Sequence, residues 1–337
     1  EDVEAAARQL LAADDSSERA SCVLPPEDPR VRHTLEVLNA ASGDVLKVGV
    51  VNVGAGTATV HWCAESGEDE EGCGSPGRAL RFRFQPLQPP QPRPRVDVML
   101  AMPRPQILKW LFPVFTQMGV SRIVVTSSTL VPKNYWMSRK KSGLTHEALC
   151  ENIVSGMQQG ADPRMPELVF EPDFRKYLRT RLPHDFPTSR FARIFCDLGD
   201  FPSLVECIND YVRSKASPQE GSDLGGGRSS SKRPRTDVLP NPDEAGIGGV
   251  VLAIGPERGW TQQELEMIRE HGFAVASMGP QILRTDVASI ASVGIVMQNL
   301  RELMASGHHQ PEDSCSLLLE APRVQLPTEE DLRFISF

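Results

Sequence analysis

Two stretches decide the fold: Gly249-Val-Val-Leu-Ala-Ile254-Gly255-Pro256-Glu257-Arg258-Gly259 and Phe273-Ala-Val-Ala-Ser-Met278-Gly279-Pro280-Gln281-Ile282-Leu283-Arg284-Thr285-Asp286. In each, a short apolar run stops at a Gly-Pro step and a helix follows. The unbroken run Val250–Ile254 is that of a strand covered on both faces. Pro256 ends it, because proline has no N–H to give to a ladder. Thr261-Gln-Gln-Glu264 then spells a capping box. Leu265, Met267 and Ile268 give the helix an apolar side, and Gly272 stops it. In the second stretch Phe273–Met278 is the strand, and Thr285 or Asp286 caps a helix running from Val287 to about Met304. Its small residues (Ala288, Ser289, Ala291, Ser292, Gly294) admit a close neighbour, either a partner subunit or another helix of the chain. Two strand ends set side by side, with their backbone exposed, predict a pocket for a small polar ligand.

Upstream, strand and helix patterns alternate. Val96–Met102 is a strand, Ile107–Met118 a helix closed by Gly119, Val120–Thr126 a strand, Thr145–Gln159 a helix and Arg193–Leu198 a strand. This alternation predicts an α/β domain over residues 96–305, with a parallel sheet and helices on both faces. Residues 22–95 differ. A helical stretch at Arg30–Leu38 precedes strands at Val45–Val51 and Ala58–Trp62, with Gly54-Ala-Gly56 between them, which predicts a small β-barrel. Residues 63–95 read as an insertion in it: an acidic run, the alternating Arg78-Ala-Leu-Arg-Phe-Arg-Phe84, and a Pro/Gln tract with linker character.

Residues 1–21 have the pattern of a short amphipathic helix and an acidic tail, and residues 306–337 that of an irregular tail. Between 214 and 243 the pattern dissolves into a disordered insertion. Its Lys232-Arg-Pro-Arg235 is a nuclear address, an RNA-contacting patch or a plain solvated loop.

The 337 residues suit two domains with appendages. An apolar fraction of 40% and a charged fraction of 24% belong to a soluble globular chain. The net charge of −8 excludes a surface coated in basic residues and leaves room for local basic patches. No apolar run approaches the roughly 20 residues that cross a bilayer. The seven cysteines form no C-x-x-C pair. No metal site or disulfide framework is expected, only the reduced thiols of an intracellular protein. The first residues, Glu1-Asp-Val-Glu, lack an initiator Met, which leaves open an upstream segment and, within it, a targeting peptide. The expected location is intracellular: the cytoplasm or, in a eukaryote, an organelle (chloroplast or mitochondrion).

Ile254-Gly-Pro-Glu257 with Gly259, and Met278-Gly-Pro-Gln-Ile-Leu-Arg-Thr-Asp286, resemble the paired signatures of the ribosomal RNA small-subunit methyltransferase E family. Asp28-Pro-Arg-Val-Arg-His33-Thr-Leu-Glu-Val-Leu38 with Gly43-Asp44 resembles the start of its PUA-like barrel. Gln117-Met-Gly-Val120 and Gln158-Gln159 ahead of Arg164-Met-Pro-Glu167 resemble further family stretches. The resemblance covers roughly residues 22–305. It departs from the family pattern at Arg258, Gln117 and Val114, at Ser128-Thr129-Leu130, and at Gly160-Ala-Asp162. These departures cluster on the side that the resemblance makes RNA-facing.

The resemblance implies S-adenosylmethionine-dependent methylation at N3 of a uridine in small-subunit ribosomal RNA. It further implies a SPOUT-type parallel sheet with a C-terminal trefoil knot, a homodimer, and the rRNA or assembling small subunit as partner. Ile254, Gly255, Pro256, Gly259, Met278, Gly279, Pro280, Ile282 and Leu283 would hold the cofactor, glycine letting the backbone come close. Uracil N3 must lose a proton during attack, which calls for a base or an oxyanion-stabilising cation. Arg284 is the first candidate cation, with a salt bridge to Asp286 as its structural alternative. Glu257 and Asp286 are candidate bases, or a turn-orienting group and a helix cap. Arg30, His33, Lys133, Arg139 and Lys140 are the expected RNA contacts, with Tyr135 and Trp136 stacking on a base. The rival readings are methylation of another RNA site, or a non-catalytic RNA-binding assembly protein of the same fold.

Overall fold

The structure is a computed structural model and describes residues 21–63, 69–70, 78–85, 88–137, 144–216 and 246–306. The expected N-terminal helix, almost all of the 214–243 insertion and all but the first residue of the C-terminal tail lie outside the described residues, as do Arg139 and Lys140. The chain divides into two compact units, residues 1–91 with 157–165 and residues 92–156 with 166–337.

The first unit contains β1 (Ser21–Leu24), α1 (Pro29–Glu36), β2 (Val45–Val50), β3 (Gly54–Cys63), β4 (Asp69–Glu70) and β5 (Ala79–Phe84). Its sheet is antiparallel, in the order β1-β5-β3-β2, with β4 pairing β3. Asp28 caps α1 by accepting the Arg30 N–H at 2.8 Å, and Pro29 opens the helix where no N–H is needed. One sheet face packs Leu24, Val60, Trp62 and Leu80 against Val31 and Ala40. The Trp62 indole satisfies its N–H on the Ala40 carbonyl at 2.8 Å.

Two sequence expectations need correction here. Gly54-Ala-Gly56 is the beginning of β3, not a separator, because the reversal falls just before it and Gly54 already pairs with Val50. Ala79–Phe84, placed within an insertion, is an interior strand between β1 and β3. Its alternation of Arg with Leu and Phe is the period-two signature of a half-buried strand, which the acidic run ahead of it obscures.

The second unit is a six-stranded sheet, parallel throughout, in the order β11-β9-β10-β6-β7-β8. Its elements in chain order are β6 (Val96–Ala101), α2 (Pro105–Met118), β7 (Arg122–Thr126), α3 (Lys133–Met137), α4 (His146–Gly160, whose residues from Met157 on are counted with the first unit), β8 (Glu167–Glu171), α5 (Phe174–Thr180), α6 (Leu182–Asp185), β9 (Phe191–Cys196), α7 (Leu204–Ala216), β10 (Gly249–Ile254), α8 (Gln262–Glu270), β11 (Ala274–Ala276) and α9 (Thr285–Ser306). The helix α7 runs on to Ala216, past Ser214 where the sequence pattern fades, and α9 starts two residues before Val287.

Side chains of β10 alternate between two cores. Val250, Leu252 and Ile254 join Leu108, Phe112, Ile208, Val293 and Val296, while Val251 and Ala253 join Phe174, Tyr177, Leu182 and Ile268. Each Val, Leu, Ile or Phe among them contributes about 1.5–3 kcal/mol by leaving water. The small residues of α9 serve this packing. Ser289 and Ser292 are fully buried, and a Cβ at Gly294 would stand 3.8 Å from the Met118 methyl carbon.

Along the sheet, Asp97, Arg122 and Glu167 stand in register on β6, β7 and β8. Arg122 meets Glu167 at 2.6 Å and Asp185 at 3.3 Å. Arg95 donates to Asp97 at 2.9 Å. Burial pushes the Asp97 carboxyl above its usual range, and the Arg95 guanidinium only partly opposes this. A carboxyl with a raised folded-state pKa contributes its stability at low pH and loses it as pH rises through the folded value. Asp97→Asn, which keeps an acceptor for Arg95, is therefore expected to gain stability relative to the natural chain as pH rises from 4 to 7 in urea-unfolding series. A stability difference independent of pH would contradict this.

Candidate functional site

Parallel strands place all their C-terminal ends on one edge of the sheet, where loops carry exposed backbone groups. In register, Ile254 lies beside Leu100 and Ala101 beside Thr126, so the chain leaves β6, β7 and β10 together. After β10, Gly259 adopts φ +72° and donates its N–H to the Pro256 carbonyl at 2.9 Å. After β11, Gly279 adopts φ +105° and donates to Ser277 Oγ at 3.2 Å. Both turns need this left-handed backbone, which side chains disfavour.

The two strand ends are not side by side, contrary to the sequence expectation: β9 lies between β10 and β11. The loop after β11 makes up the separation by coming back across the edge. Thr285, at the start of α9, donates its hydroxyl to the Gly255 carbonyl at 3.4 Å. The paired turns meet through this contact and not through a shared ladder.

Carboxylates tie the neighbouring loops together. Glu257 Oε1 accepts the Arg104 N–H at 3.0 Å, joining the loop after β10 to the loop after β6. Arg104 Nε in turn donates to the Tyr135 hydroxyl at 3.3 Å. The capping box at Thr261 and Glu264 forms as its sequence predicts. Arg284 Nε donates to Asp286 at 3.1 Å, with the arginine side chain 74% exposed and the aspartate 11%. Burial alone would raise the Asp286 carboxyl. Hydrogen bonds from Arg284 and from the Val287 N–H outweigh it and hold the group below its usual range.

Three polar atoms on Thr126, Ser128 and Trp260 are buried without a hydrogen-bond partner among the described residues: Thr126 Oγ1, Ser128 Oγ and Trp260 Nε1. All three residues stand at or just beyond the C-terminal ends of β7 and β10, and such groups are commonly satisfied by a ligand or a water. The Trp260 ring stacks on Phe174 with centroids 5.0 Å apart, and its Nε1 lies 2.9 Å from where a Cβ at Gly255 would stand. At Gly259 a Cβ would meet nothing within 4 Å, so the turn faces open space.

The structure thus brings together the two predicted cofactor stretches, Ile254–Gly259 and Met278–Leu283, with Glu257 on one and Arg284 and Asp286 just beyond the other. Ile254 and Pro256 are buried, while Ile282 is 86% exposed. Arg30 and His33 are exposed on α1 in the first unit, Arg30 being held by Asp28 at 2.9 Å. Lys133 is exposed at the start of α3 in the second. Tyr135 and Trp136 are not splayed for stacking as expected. Both pack against the core, Trp136 edge-on to Phe170 at 6.5 Å. Sequence reasoning missed Arg104 and Trp260, and marks Ser128 and Thr129 only as a departure from the family pattern, with no role in holding the site. Only the capping box hinted at them, because its glutamate has a second oxygen to satisfy.

Residues 89–193 and 228–297, just over half of the chain, match the RNA methyltransferase domain family. The chain belongs to that family. It is 24% identical over 278 residues to "Ribosomal RNA small subunit methyltransferase E" of Treponema pallidum, covering 82% of this chain and 85% of the relative. A Borreliella burgdorferi relative, "Ribosomal RNA small subunit methyltransferase E 1", is 20% identical, covering 81% and 91%. Among solved structures, a Neisseria gonorrhoeae ribosomal RNA small subunit methyltransferase E bound to S-adenosyl methionine aligns with a TM-score of 0.56 at 16% identity, covering 85% of this chain and 94% of that one. A Legionella pneumophila putative methyltransferase with bound cofactor SAM aligns at 0.54 and 17%, with the same coverage. These likenesses establish the shared α/β fold. Among the described residues there is no cluster of metal ligands, and no helix is long and apolar enough to cross a membrane.

Gly255→Ala would press a methyl against the indole edge, an overpacking that costs about 1–3 kcal/mol. A shift in tryptophan emission and a lower thermal midpoint are expected. Unchanged values for both would mean that Trp260 has room to move.

Proposed function

We propose that the chain is an S-adenosylmethionine-dependent methyltransferase acting on N3 of a uridine in small-subunit ribosomal RNA. The observation that carries this reading is the joining of two glycine turns by Thr285 and Gly255, beside buried hydroxyl and indole groups that lack partners. Such a cradle fits a small polar ligand, and the chain belongs to a family of RNA methyltransferases. The relatives' names support the rRNA substrate, and the neighbours solved with S-adenosylmethionine support the cofactor.

When bound, S-adenosylmethionine supplies an activated methyl group, which leaves the chain mainly to orient two reactants and manage one proton. The Ile254–Gly259 and Met278–Leu283 stretches hold the cofactor through backbone groups. Arg284, permanently charged and largely exposed, stabilises the uracil oxygen on which negative charge builds as N3 is deprotonated. Asp286 orients Arg284. With its carboxyl held below the usual range it is a poor proton acceptor, so Glu257 is the carboxylate left for that role. Arg30 and His33 of α1 and Lys133 of α3 contact RNA phosphates. The return of the chain from β11 past β9 to Gly255 supports a knotted connection. A stripe of Val287, Ala291 and Ile295 along α9 leaves Val287 47% and Ile295 40% exposed, and a second copy of the chain covers it in a homodimer.

Calorimetry with S-adenosylhomocysteine, and nucleoside mass spectrometry of small-subunit rRNA incubated with the protein and S-adenosylmethionine, test the reading. Binding and the appearance of N3-methyluridine are expected; no binding at millimolar ligand would sink it. Arg284→Ala is expected to lower turnover about a hundredfold, the scale for losing one charge-stabilising group. Its S-adenosylhomocysteine affinity should stay within a few-fold of the natural chain's. A collapse in that affinity would make Arg284 part of the cofactor pocket instead. Light scattering is expected to give the mass of a dimer, and a monomer at high concentration would refute the α9 interface.

A further inference from the structure

Glu264 stands on the first turn of α8, only 2% exposed, with both carboxylate oxygens in use. Oε2 closes the capping box, accepting the Thr261 N–H at 2.9 Å and its hydroxyl at 2.8 Å. Oε1 faces away from the helix's own cap. It accepts the Thr129 N–H at 2.7 Å and the Thr129 hydroxyl at 3.1 Å, from a loop 135 positions earlier in the chain. A capping box needs only the bond from the Thr261 N–H to Oε2 and the return bond from the Glu264 N–H to Thr261 Oγ1, at 3.3 Å, and neither of the pair from Thr129. That pair ties the loop that follows β7 to the loop that follows β10. The residue next to Thr129 is Ser128, whose buried hydroxyl has no partner among the described residues.

We infer that Glu264 is a positioning residue. Its carboxylate sets the gap between the Ser128–Thr129 loop and the Gly255–Thr261 loop, and so makes the former a second wall of the cofactor site. The inference rests on the function proposed above for that site. A carboxylate suits the task because both its oxygens accept, whereas an amide accepts on one side only. In Glu264→Gln the two threonine hydroxyls can turn to accept from the new NH2 group. The two backbone N–H groups cannot, so one of them loses its acceptor and its loop is freed.

The test compares variants in the full chain. Glu264→Gln is expected to raise the calorimetric Kd for S-adenosylhomocysteine about tenfold, the scale of one lost buried acceptor. Turnover at saturating S-adenosylmethionine should stay within about threefold, since the clamp touches no reacting atom. By hydrogen exchange the Thr129 or Thr261 amide should lose protection while the amides of β10 keep theirs. Thr129→Ser, which keeps both donors, should match the natural chain, and Thr129→Val should fall between it and Glu264→Gln. Ile268→Val, which removes one buried methylene-sized group from the same helix and none of the four bonds to Glu264, is the control for lost stability and should leave Kd unchanged.

An equal rise in Kd for Ile268→Val would overturn the inference, as would an unchanged Kd in Glu264→Gln. If the natural chain fails to bind S-adenosylhomocysteine, the proposed function fails. The exchange of Thr129 and Thr261 in Glu264→Gln then still decides whether the clamp exists, and unchanged protection at both refutes it.

Discussion

Parallel strands cannot be joined by tight turns, so each must be followed by a crossover that returns the chain to the starting edge. In the second unit this constraint applies to six strands, and the rest of the unit follows from it. Helices cover both sheet faces, which is why β10 is apolar at every position and splits its side chains between two cores. Every strand also ends on the same edge, so loops distant in sequence gather there with backbone groups that no ladder satisfies. The site is a product of that gathering.

What holds the gathered loops is polar. Glu257 reaches the Arg104 N–H, Glu264 reaches Thr129, and Thr285 reaches the Gly255 carbonyl, three contacts that span 153, 135 and 30 positions of the chain. Away from that edge, Arg122 joins Glu167 and Asp185 across neighbouring elements. A parallel sheet buried on both faces leaves few places where charge is tolerated. The charged groups described there are accordingly paired, and where burial is complete, as at Asp97, the carboxyl is pushed above its usual range even beside its Arg95 partner.

Much of the architecture was legible in the residues. The capping box at Thr261, the stop at Gly119 and the apolar run at Val250–Ile254 are local signals, and each formed where its pattern placed it. The errors were also local in origin. Gly54 and Gly56 have the character of turn residues, but in β3 they pair with Val50 and Val48 across the hairpin, and only the register reveals it. The acidic run ahead of Arg78–Phe84 makes that stretch read as part of an insertion, while its Leu80 and Phe82, alternating with Arg81 and Arg83, mark the inner face of a strand. For the site, the two Gly-Pro turns were found at once. Their partners in the loops after β6 and β7 were not, because nothing in Arg104 or Thr129 states which distant carboxylate each will meet.

By itself the sequence determined the elements, their alternation, and the two glycine turns as the place where a ligand would be held, since propensity, capping and turn chemistry act over a few residues. The tertiary structure alone decided that β9 separates the two turns, that Thr285 rejoins them, and that Glu264 serves two loops instead of one. Strand order and side-chain partners depend on which crossovers pack against which face. That is a competition among contacts across the whole unit, and no short stretch of residues contains it.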